Sequence, residues 1–105
     1  MADPQTVTYA TSWGTFLDFP DTVVGRCLAE GRFWDAHLKP FMEEAAGPGV
    51  ALDIGAYIGV HTCYLAGGYS QVIAVEPQPA TFALLQTNVQ ANRAPGRAQV
   101  TFEGG

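Results

Sequence analysis

The sequence predicts an α/β fold with a parallel sheet, and three observations carry this prediction. Val50–Ile54 and Gln71–Val75 are continuous apolar segments of the kind found in buried strands. A segment with helical spacing follows each of them, and an alternating segment, Ala98–Phe102, closes the series. The order β-α-β-α-β requires a parallel sheet with right-handed helical crossovers.

The connections between these strands predict a turn and two helices. Gly55–Gly59 predicts a turn after the first strand, and Val60–Ala66 predicts the short helix that follows it. After the second strand, Pro79 predicts the first turn of a helix that runs to about Asn92. The apolar residues of this helix recur on one face, at Phe82, Leu85 and Val89.

The chain changes character at Gly47-Pro48-Gly49. The residues before this point have short, mixed patterns and predict an N-terminal arm with a helical lead-in, 1–47. The residues after it have regular patterns and predict a partial sheet domain, 48–105, that contains all three parallel strands. The total length of 105 residues is enough for one domain and too short for two.

Within the lead-in, the pattern predicts one strand and two helical stretches. Thr15–Phe19 predicts a short strand or an extended arm. Asp21 predicts the N-cap of a helix over Thr22–Ala29. A second helical stretch covers Trp34–Ala46, where Pro40 predicts a kink or a restart.

Composition and charge exclude several classes of protein. The net charge of −5 provides no basic surface, so we expect neither nucleic acid nor an anionic membrane as a partner. The sequence has no apolar run long enough to span a membrane, and Met1–Gln5 has no feature of a secretory leader. Cys27 and Cys63 lie far apart and match no metal-binding motif. We expect two buried thiols, no bound metal and a cytoplasmic location.

Acidic residues end both buried strands, beside a turn that contains two glycines. Asp53 lies in the first strand, and Gly55 lets the following turn approach a ligand without a Cβ in the way. Gly59 opens the next helix, whose free N–H groups can face ligand oxygens. Glu76 ends the second strand, where an acid can accept both hydroxyls of a ribose. Since the turn is D-x-G-x-x-x-G and differs from the G-x-G-x-x-G of dinucleotide binders, the whole arrangement predicts a site for a nucleoside-containing cofactor.

Each of these residues also has a structural interpretation. Glycines are expected in any tight turn from strand to helix, and an acid at a strand end is often simply solvated. Tyr57 either packs over the cofactor or covers the turn. His61 follows the turn, and we interpret it as a packing or capping residue because no neighbouring acid would orient it as a base. Asn88 and Asn92 are predicted to be helix-end and turn residues.

The segment Val50–Asn92 resembles the FkbM-type family of S-adenosylmethionine-dependent methyltransferases. It contains the D-x-G-A-x-x-G turn, the E-P-x-P motif and the N-x-x-x-N helix end that are typical of this family. These motifs lie at Asp53/Gly55/Ala56/Gly59, at Glu76/Pro77/Pro79 and at Asn88/Asn92. The family commonly has Asn where this sequence has Tyr57.

The resemblance implies a Rossmann-like, three-layer α/β fold, of which the chain forms the β-α-β-α-β half of a class I methyltransferase. It implies S-adenosylmethionine as the cofactor and transfer of its methyl group to an oxygen of a small-molecule acceptor, a metabolite or a sugar. It places Asp53 and Gly55 at the methionine part of the cofactor and Glu76 at the ribose. The cofactor-binding residues that it implies are Asp53, Gly55, Ala56, Tyr57, Gly59, Glu76 and Pro77. It assigns no catalytic residue, because the substrate-facing half of the family's sheet has no counterpart in this sequence.

Two functions of other classes are open beside this one. The chain could be a binding module that holds the cofactor or a nucleoside without catalysis, or a structural fragment that associates through its sheet. The second function follows from Val50–Ile54, which would be an unpaired and apolar sheet edge. We therefore expect either a homodimer through this edge or an N-terminal arm that covers it.

Overall fold

The computed structural model describes residues 5–105. The residues 1–4, which belong to the predicted lead-in and to the segment judged for a secretory leader, lie outside the described residues. The strands are β1 (Val7–Thr11), β2 (Gly14–Asp18), β3 (Gly47–Ile54), β4 (Tyr69–Glu76) and β5 (Gln99–Gly104). The helices are α1 (Val23–Ala29), a 3₁₀ helix (Ala36–Leu38), α2 (Lys39–Glu44), α3 (Val60–Ala66) and α4 (Pro79–Ala91).

The strands β3, β4 and β5 form a parallel sheet in that order. The register places Ala51 beside Val72 and Ala74 beside Phe102. With α3 and α4 as the crossovers, the order confirms the predicted β-α-β-α-β unit and the α/β fold. Among residues 5–105, β3 pairs with β4 only, so it lies at an edge of the sheet.

The lead-in forms a separate antiparallel hairpin of β1 and β2, followed by the short helices. β2 agrees with the predicted strand, whereas the sequence did not predict β1. The N-cap of α1 is Thr22 and not Asp21, since the Thr22 hydroxyl accepts the Gly25 N–H at 2.8 Å while Asp21 is in the left-handed region at φ 59°. Pro40 lies in the first turn of α2, so the predicted helical stretch restarts there.

The core lies between the sheet and the helices on one of its faces. Its largest fully buried side chains are contributed by both parts of the chain and include Phe16, Leu28, Ile58 and Leu85. A second cluster joins Ala51 and Val72 of the sheet to Leu65 and Ala66 of α3. The hairpin, the short helices and the sheet therefore share one apolar core.

The other face of β3 is open, which contradicts the prediction of a strand buried on both faces. Val50, Leu52 and Ile54 are 56%, 59% and 74% exposed. Alternate residues of a strand point to opposite faces, and only the face with Ala51 meets a helix. The apolar run was a correct sign of a parallel strand, but within residues 5–105 no helix covers this side of it.

Two asparagines of α4 bind the hairpin to the sheet domain. The Asn88 side chain accepts the Leu17 N–H at 2.8 Å and donates to the Leu17 carbonyl at 2.9 Å. Asn92 makes the same pair of bonds with Thr15, at 2.9 Å and 2.8 Å. The two amides thus occupy the edge of β2 as a neighbouring strand would. Asn88 is therefore a buried residue in the last turn of α4, and Asn92 caps the end of this helix, which agrees with their predicted places.

Within the described part of the chain, no helix has both the length and the apolar character needed to cross a bilayer.

Candidate functional site

The turn between β3 and α3 is held against the end of β4 by backbone hydrogen bonds. The N–H groups of Gly55 and Ala56 both donate to the Val75 carbonyl, at 2.8 Å and 2.9 Å. Gly55 has φ 75°, and a Cβ built on it would meet no atom within 4 Å. The turn therefore has an open surface at Gly55, as expected where the backbone is approached by a ligand.

The Glu76 carboxylate is held in place by two backbone N–H groups. Its side chain is 7% exposed and lies where β4 ends. One carboxylate oxygen accepts the Tyr57 N–H at 2.9 Å, and the other accepts the Gln78 N–H at 3.2 Å. A carboxylate oxygen has two lone pairs, so each oxygen of Glu76 keeps one for a further donor.

Tyr57 connects this turn to the hairpin. It has φ 54°, a conformation uncommon for a residue with a side chain. Its hydroxyl donates to Asp18 of β2 at 2.6 Å, and Asp18 has no exposed surface. Asp18 also accepts the Thr22 hydroxyl and the Phe19 N–H. Burial, followed by the hydrogen bond to Asp18 and its negative charge, raises the pKa of the Tyr57 hydroxyl above its ordinary value.

Asp53 and the turn line one cavity at the carboxyl end of β3. The Thr62 hydroxyl donates to one oxygen of the Asp53 carboxylate at 2.6 Å, which orients this side chain. The cavity measures about 500 Å³, and its walls come from β3, the turn and the short helices. Of the predicted cofactor residues it contains Asp53, Gly55, Ala56 and Tyr57. Gly59, Glu76 and Pro77 lie outside its lining, and Glu76 is connected to the turn by the hydrogen bond from the Tyr57 N–H.

Two further glycines permit close packing around the site. Gly59 has φ 95°, and a Cβ on it would lie 3.0 Å from the Leu85 side chain of α4. Gly104 has φ 125°, and a Cβ on it would lie 2.2 Å from the Glu76 carbonyl oxygen. Gly59 therefore brings α3 against α4, and Gly104 lets β5 reach the end of β4 beside Glu76.

His61 and the two cysteines have structural surroundings. The His61 ring stacks on Phe33 at 5.2 Å between centroids, and its Nε2 lies 2.6 Å from the Trp34 carbonyl oxygen. This confirms the packing interpretation of His61. Cys27 and Cys63 are both free and buried, as expected. Burial raises the pKa of the Cys63 thiol to about 12.

Asp18, Thr22 and Gly104 were not among the residues that the sequence singled out. Asp18 lies in a predicted strand, but no local pattern relates it to Tyr57, 39 positions later. Gly104 follows an alternating strand, where a glycine is easily taken for the start of a loop. For Asp18, the sequence contained one indication of a buried role, because this acid lies inside the otherwise apolar segment Phe16–Phe19.

Comparisons with solved structures agree with the α/β fold described above. Neither the models of protein families nor the curated proteins contain a match. Among solved structures, the chain is similar to a SAM-dependent methyltransferase from Agrobacterium tumefaciens, with a TM-score of 0.57 and 22% identity over 97% of this chain. It is also similar to a precorrin 8W decarboxylase from Methanobacterium thermoautotrophicum, with a TM-score of 0.54 and 25% identity over 84% of this chain.

The chain spans 33% of the length of the first of these proteins and 41% of the second. It therefore corresponds to a part of each, and the likeness concerns the fold. The parallel sheet, the crossover helices and these two neighbours together show a Rossmann-like α/β fold, the fold of a methyltransferase fragment.

Proposed function

We propose that the chain forms the S-adenosylmethionine-binding half of a methyltransferase, and that its relatives are the FkbM-type enzymes that it resembles. The proposal depends on one observation above all. The turn Gly55–Gly59 lies between two acids at the carboxyl ends of adjacent parallel strands, Asp53 and Glu76. In open α/β sheets, ligands bind in the crevice outside this end of the strands.

The residues present fit the cofactor in size and in chemistry. A cavity of about 500 Å³ lies within the range of about 300–1,000 Å³ that small-molecule sites occupy. The Asp53 carboxylate has one oxygen bound by Thr62 and one left to accept from the cofactor's ammonium group. The two remaining lone pairs of Glu76 suit a pair of ribose hydroxyls.

The bound cofactor would supply an electrophilic methyl group on its sulfonium. The residues of this chain would bind and orient it: Asp53 and Gly55 at the methionine part, Glu76 at the ribose, and Ala56, Tyr57, Gly59 and Pro77 as the remaining contacts or supports. The proposed acceptor is an oxygen nucleophile on a small metabolite or a sugar. Positioning of this oxygen in line with the methyl group would provide most of the rate enhancement.

Calorimetric titration with S-adenosylmethionine tests the proposal. We expect the wild-type chain to bind and Glu76→Gln to weaken binding by about 1–3 kcal/mol, the cost of an unsatisfied polar contact. Glu103→Gln is the matched control, because it removes the same charge from an exposed position in the neighbouring strand, β5. Circular dichroism of each variant shows that the fold is retained.

The absence of binding by the folded wild-type chain would contradict the proposal, as would equal effects of the two substitutions. Binding without methylation of any acceptor would instead support a cofactor-binding module.

A further inference from the structure

Asp18 is a buried acid of the hairpin, and the proposed cofactor site gives it no role. Its side chain has no exposed surface, and within residues 5–105 no cationic side chain pairs with it. The Phe19 N–H and the Tyr57 hydroxyl donate to one of its oxygens, at 2.7 Å and 2.6 Å, and the Thr22 hydroxyl donates to the other. A buried carboxylate is costly, and apolar groups of the same shape often replace a buried hydrogen-bonded pair without loss of stability. The burial of an acid here therefore indicates a role beyond stability.

Of these three donors, only the Tyr57 hydroxyl belongs to the turn of the candidate site. Phe19 and Thr22 lie within four positions of Asp18, whereas Tyr57 lies 39 positions later. Of the described residues, none from β1 or β2 lines the cavity beside Asp53, so Asp18 does not touch a ligand bound there. An effect of Asp18 on the ligand must therefore pass through Tyr57.

The backbone of Tyr57 carries this effect to Glu76. The Tyr57 N–H donates to Oε1 of Glu76 at 2.9 Å, and the φ angle of Tyr57 is 54°. A residue with a Cβ is strained in this left-handed region. Since a peptide group is a rigid plane, the return of Tyr57 to negative φ along the same chain path would turn the plane between Ala56 and Tyr57. The Tyr57 N–H would then point away from the Glu76 carboxylate.

The hydroxyl of Tyr57 opposes this change, because Asp18 holds it in place. The hairpin that carries Asp18 is bound to α4 through Asn88 and Asn92, so the position of the acid is fixed relative to the sheet domain. A tyrosine side chain has only two rotatable torsions, so a fixed hydroxyl also restrains the backbone of its residue. The hydrogen bond to Asp18 therefore retains the left-handed conformation of Tyr57.

We propose that Asp18 is a positioning residue for the ribose of the cofactor, an inference that rests on the proposed function of the site. Asp18 holds Tyr57 in the left-handed conformation, and the Tyr57 N–H in turn fixes one oxygen of the Glu76 carboxylate. The Gln78 N–H fixes the other oxygen, so the remaining lone pairs of Glu76 keep one arrangement, which suits two adjacent hydroxyls. The hairpin thus contributes to the choice of a ribonucleoside as the ligand without lining the cavity.

Adenosine and 2′,3′-dideoxyadenosine are the probes, because they differ only in the two hydroxyls that Glu76 would bind. NMR titrations that follow the amide resonances of Gly55–Gly59 give both dissociation constants. The ratio of the two constants reports the ribose contact alone. We expect the wild type to bind adenosine at least about tenfold more tightly, because hydrogen bonds to a charged group are strong enough for such a ratio.

Asp18→Ala and Tyr57→Phe break the same hydrogen bond from its two ends. We expect both to lower the ratio to about threefold or less, because a small misplacement of Glu76 removes most of the contact. The weaker binding should concern adenosine, while the affinity for the dideoxynucleoside stays the same. Tyr57→Phe leaves the buried acid and its other donors in place, so it decides the question even where Asp18→Ala does not fold.

Two controls separate positioning from a general loss of stability. Tyr9→Phe removes a tyrosine hydroxyl from β1 of the same hairpin, and among the described residues this hydroxyl has no hydrogen-bond partner. Val72→Ala removes buried side-chain volume from the second core cluster, so it destabilises the fold without touching Asp18 or Tyr57. Both variants should keep the wild-type ratio.

Hydrogen exchange at the amide of residue 57 tests the link without a ligand. In Tyr57→Phe we expect this amide to exchange at least about tenfold faster than in the wild type, because its bond to Glu76 opens more readily. A folded Tyr57→Phe chain with the wild-type ratio would overturn the proposal, as would an equal loss of the ratio in Val72→Ala. A wild type that binds neither nucleoside would contradict the proposed function and with it the ribose role. The amide exchange would still show whether Asp18 fixes the turn, so the two failures are distinguishable.

Discussion

Tyr57 shows how single residues fix the geometry of the candidate site. Its left-handed conformation costs about 1–2 kcal/mol for a residue with a Cβ. Two hydrogen bonds offset this cost, from its N–H to Glu76 and from its hydroxyl to Asp18. The same residue therefore orients the acid at the end of β4 and attaches the hairpin to the turn.

Removal of the Tyr57 hydroxyl tests this attachment. We expect Tyr57→Phe to lower the free energy of unfolding by about 1–3 kcal/mol, because the fully buried Asp18 loses one of its donors. Urea denaturation measures the change. Tyr9→Phe is the control, since among the described residues no hydrogen bond joins the Tyr9 hydroxyl to another group, and it should cost less than about 0.5 kcal/mol. Equal costs would refute the role of the Tyr57 hydroxyl.

The raised pKa of Tyr57 predicts how stability depends on pH. An unfolded tyrosine releases its proton near pH 10, whereas burial and Asp18 hold the proton on Tyr57 in the folded chain. The unfolded state thus binds fewer protons above pH 10, and stability falls as the pH rises through that point. Burial raises the pKa of Cys63 to about 12, which acts in the same direction.

Urea midpoints measured at pH 8 and at pH 10.5 should therefore differ more for the wild type than for Tyr57→Phe. A variant with the full pH dependence of the wild type would show that Tyr57 does not contribute to it. The comparison uses one substitution at two pH values, so the loss of the hydrogen bond itself cancels.

Residues of the turn could be predicted from the sequence because their roles are local. Gly55, Gly59 and Glu76 follow from strand ends and from the short spacing between them. The partner of Tyr57 could not be predicted, since contact with Asp18 depends on how the hairpin packs against the sheet domain. Whether the seven predicted cofactor residues bind the cofactor stays a prediction.

At the scale of elements, the α4 helix has two functions in the fold. Its apolar residues Leu85 and Val89 pack into the core, while Asn88 and Asn92 complete the hydrogen bonding of β2. Asn88 also donates to the Ile58 carbonyl at 2.8 Å, so it joins the turn region to the hairpin. A buried amide with three partners is costly to remove because each partner is then left unsatisfied.

We expect Asn88→Ala to lower the free energy of unfolding by about 2–4 kcal/mol. Asn92→Ala should cost about 0.5–1.5 kcal/mol, since its bonds with Thr15 lie at the surface, where water can replace them. Chemical denaturation of both variants gives the comparison. A cost for Asn92→Ala as large as that for Asn88→Ala would contradict the difference in burial on which this prediction depends.

The regular elements could be predicted more closely than the lead-in. Predicted and observed boundaries agree for α3, and those of α4 differ by a single residue at its end, because glycines and prolines define them. β1 was not predicted, because its apolar and polar residues alternate only weakly and much of its surface is exposed. The restart at Pro40 was predicted, but the shortness of α2 depends on β3 beginning already at Gly47.

For the whole molecule, the order β3-β4-β5 determines where the proposed cofactor site lies. It places Asp53 and Glu76 on neighbouring strands, and it leaves β3 at the edge with its apolar face open. The sequence predicted this order from the β-α-β-α-β pattern. It did not predict the open face, because an apolar strand has the same pattern whether one or both of its faces are covered.

The central claim is that the carboxyl ends of β3 and β4 bind S-adenosylmethionine. The most direct measurement is a titration of the isotope-labelled chain with this cofactor, followed by the backbone amide resonances in NMR spectra. We predict that the largest shifts fall on Gly55–Gly59 and on the residues next to Glu76, and that Glu76→Gln reduces them while Glu103→Gln does not. Spectra that stay unchanged at millimolar cofactor would contradict the claim. So would shifts confined to the opposite end of the sheet, around Gly67 and Arg97.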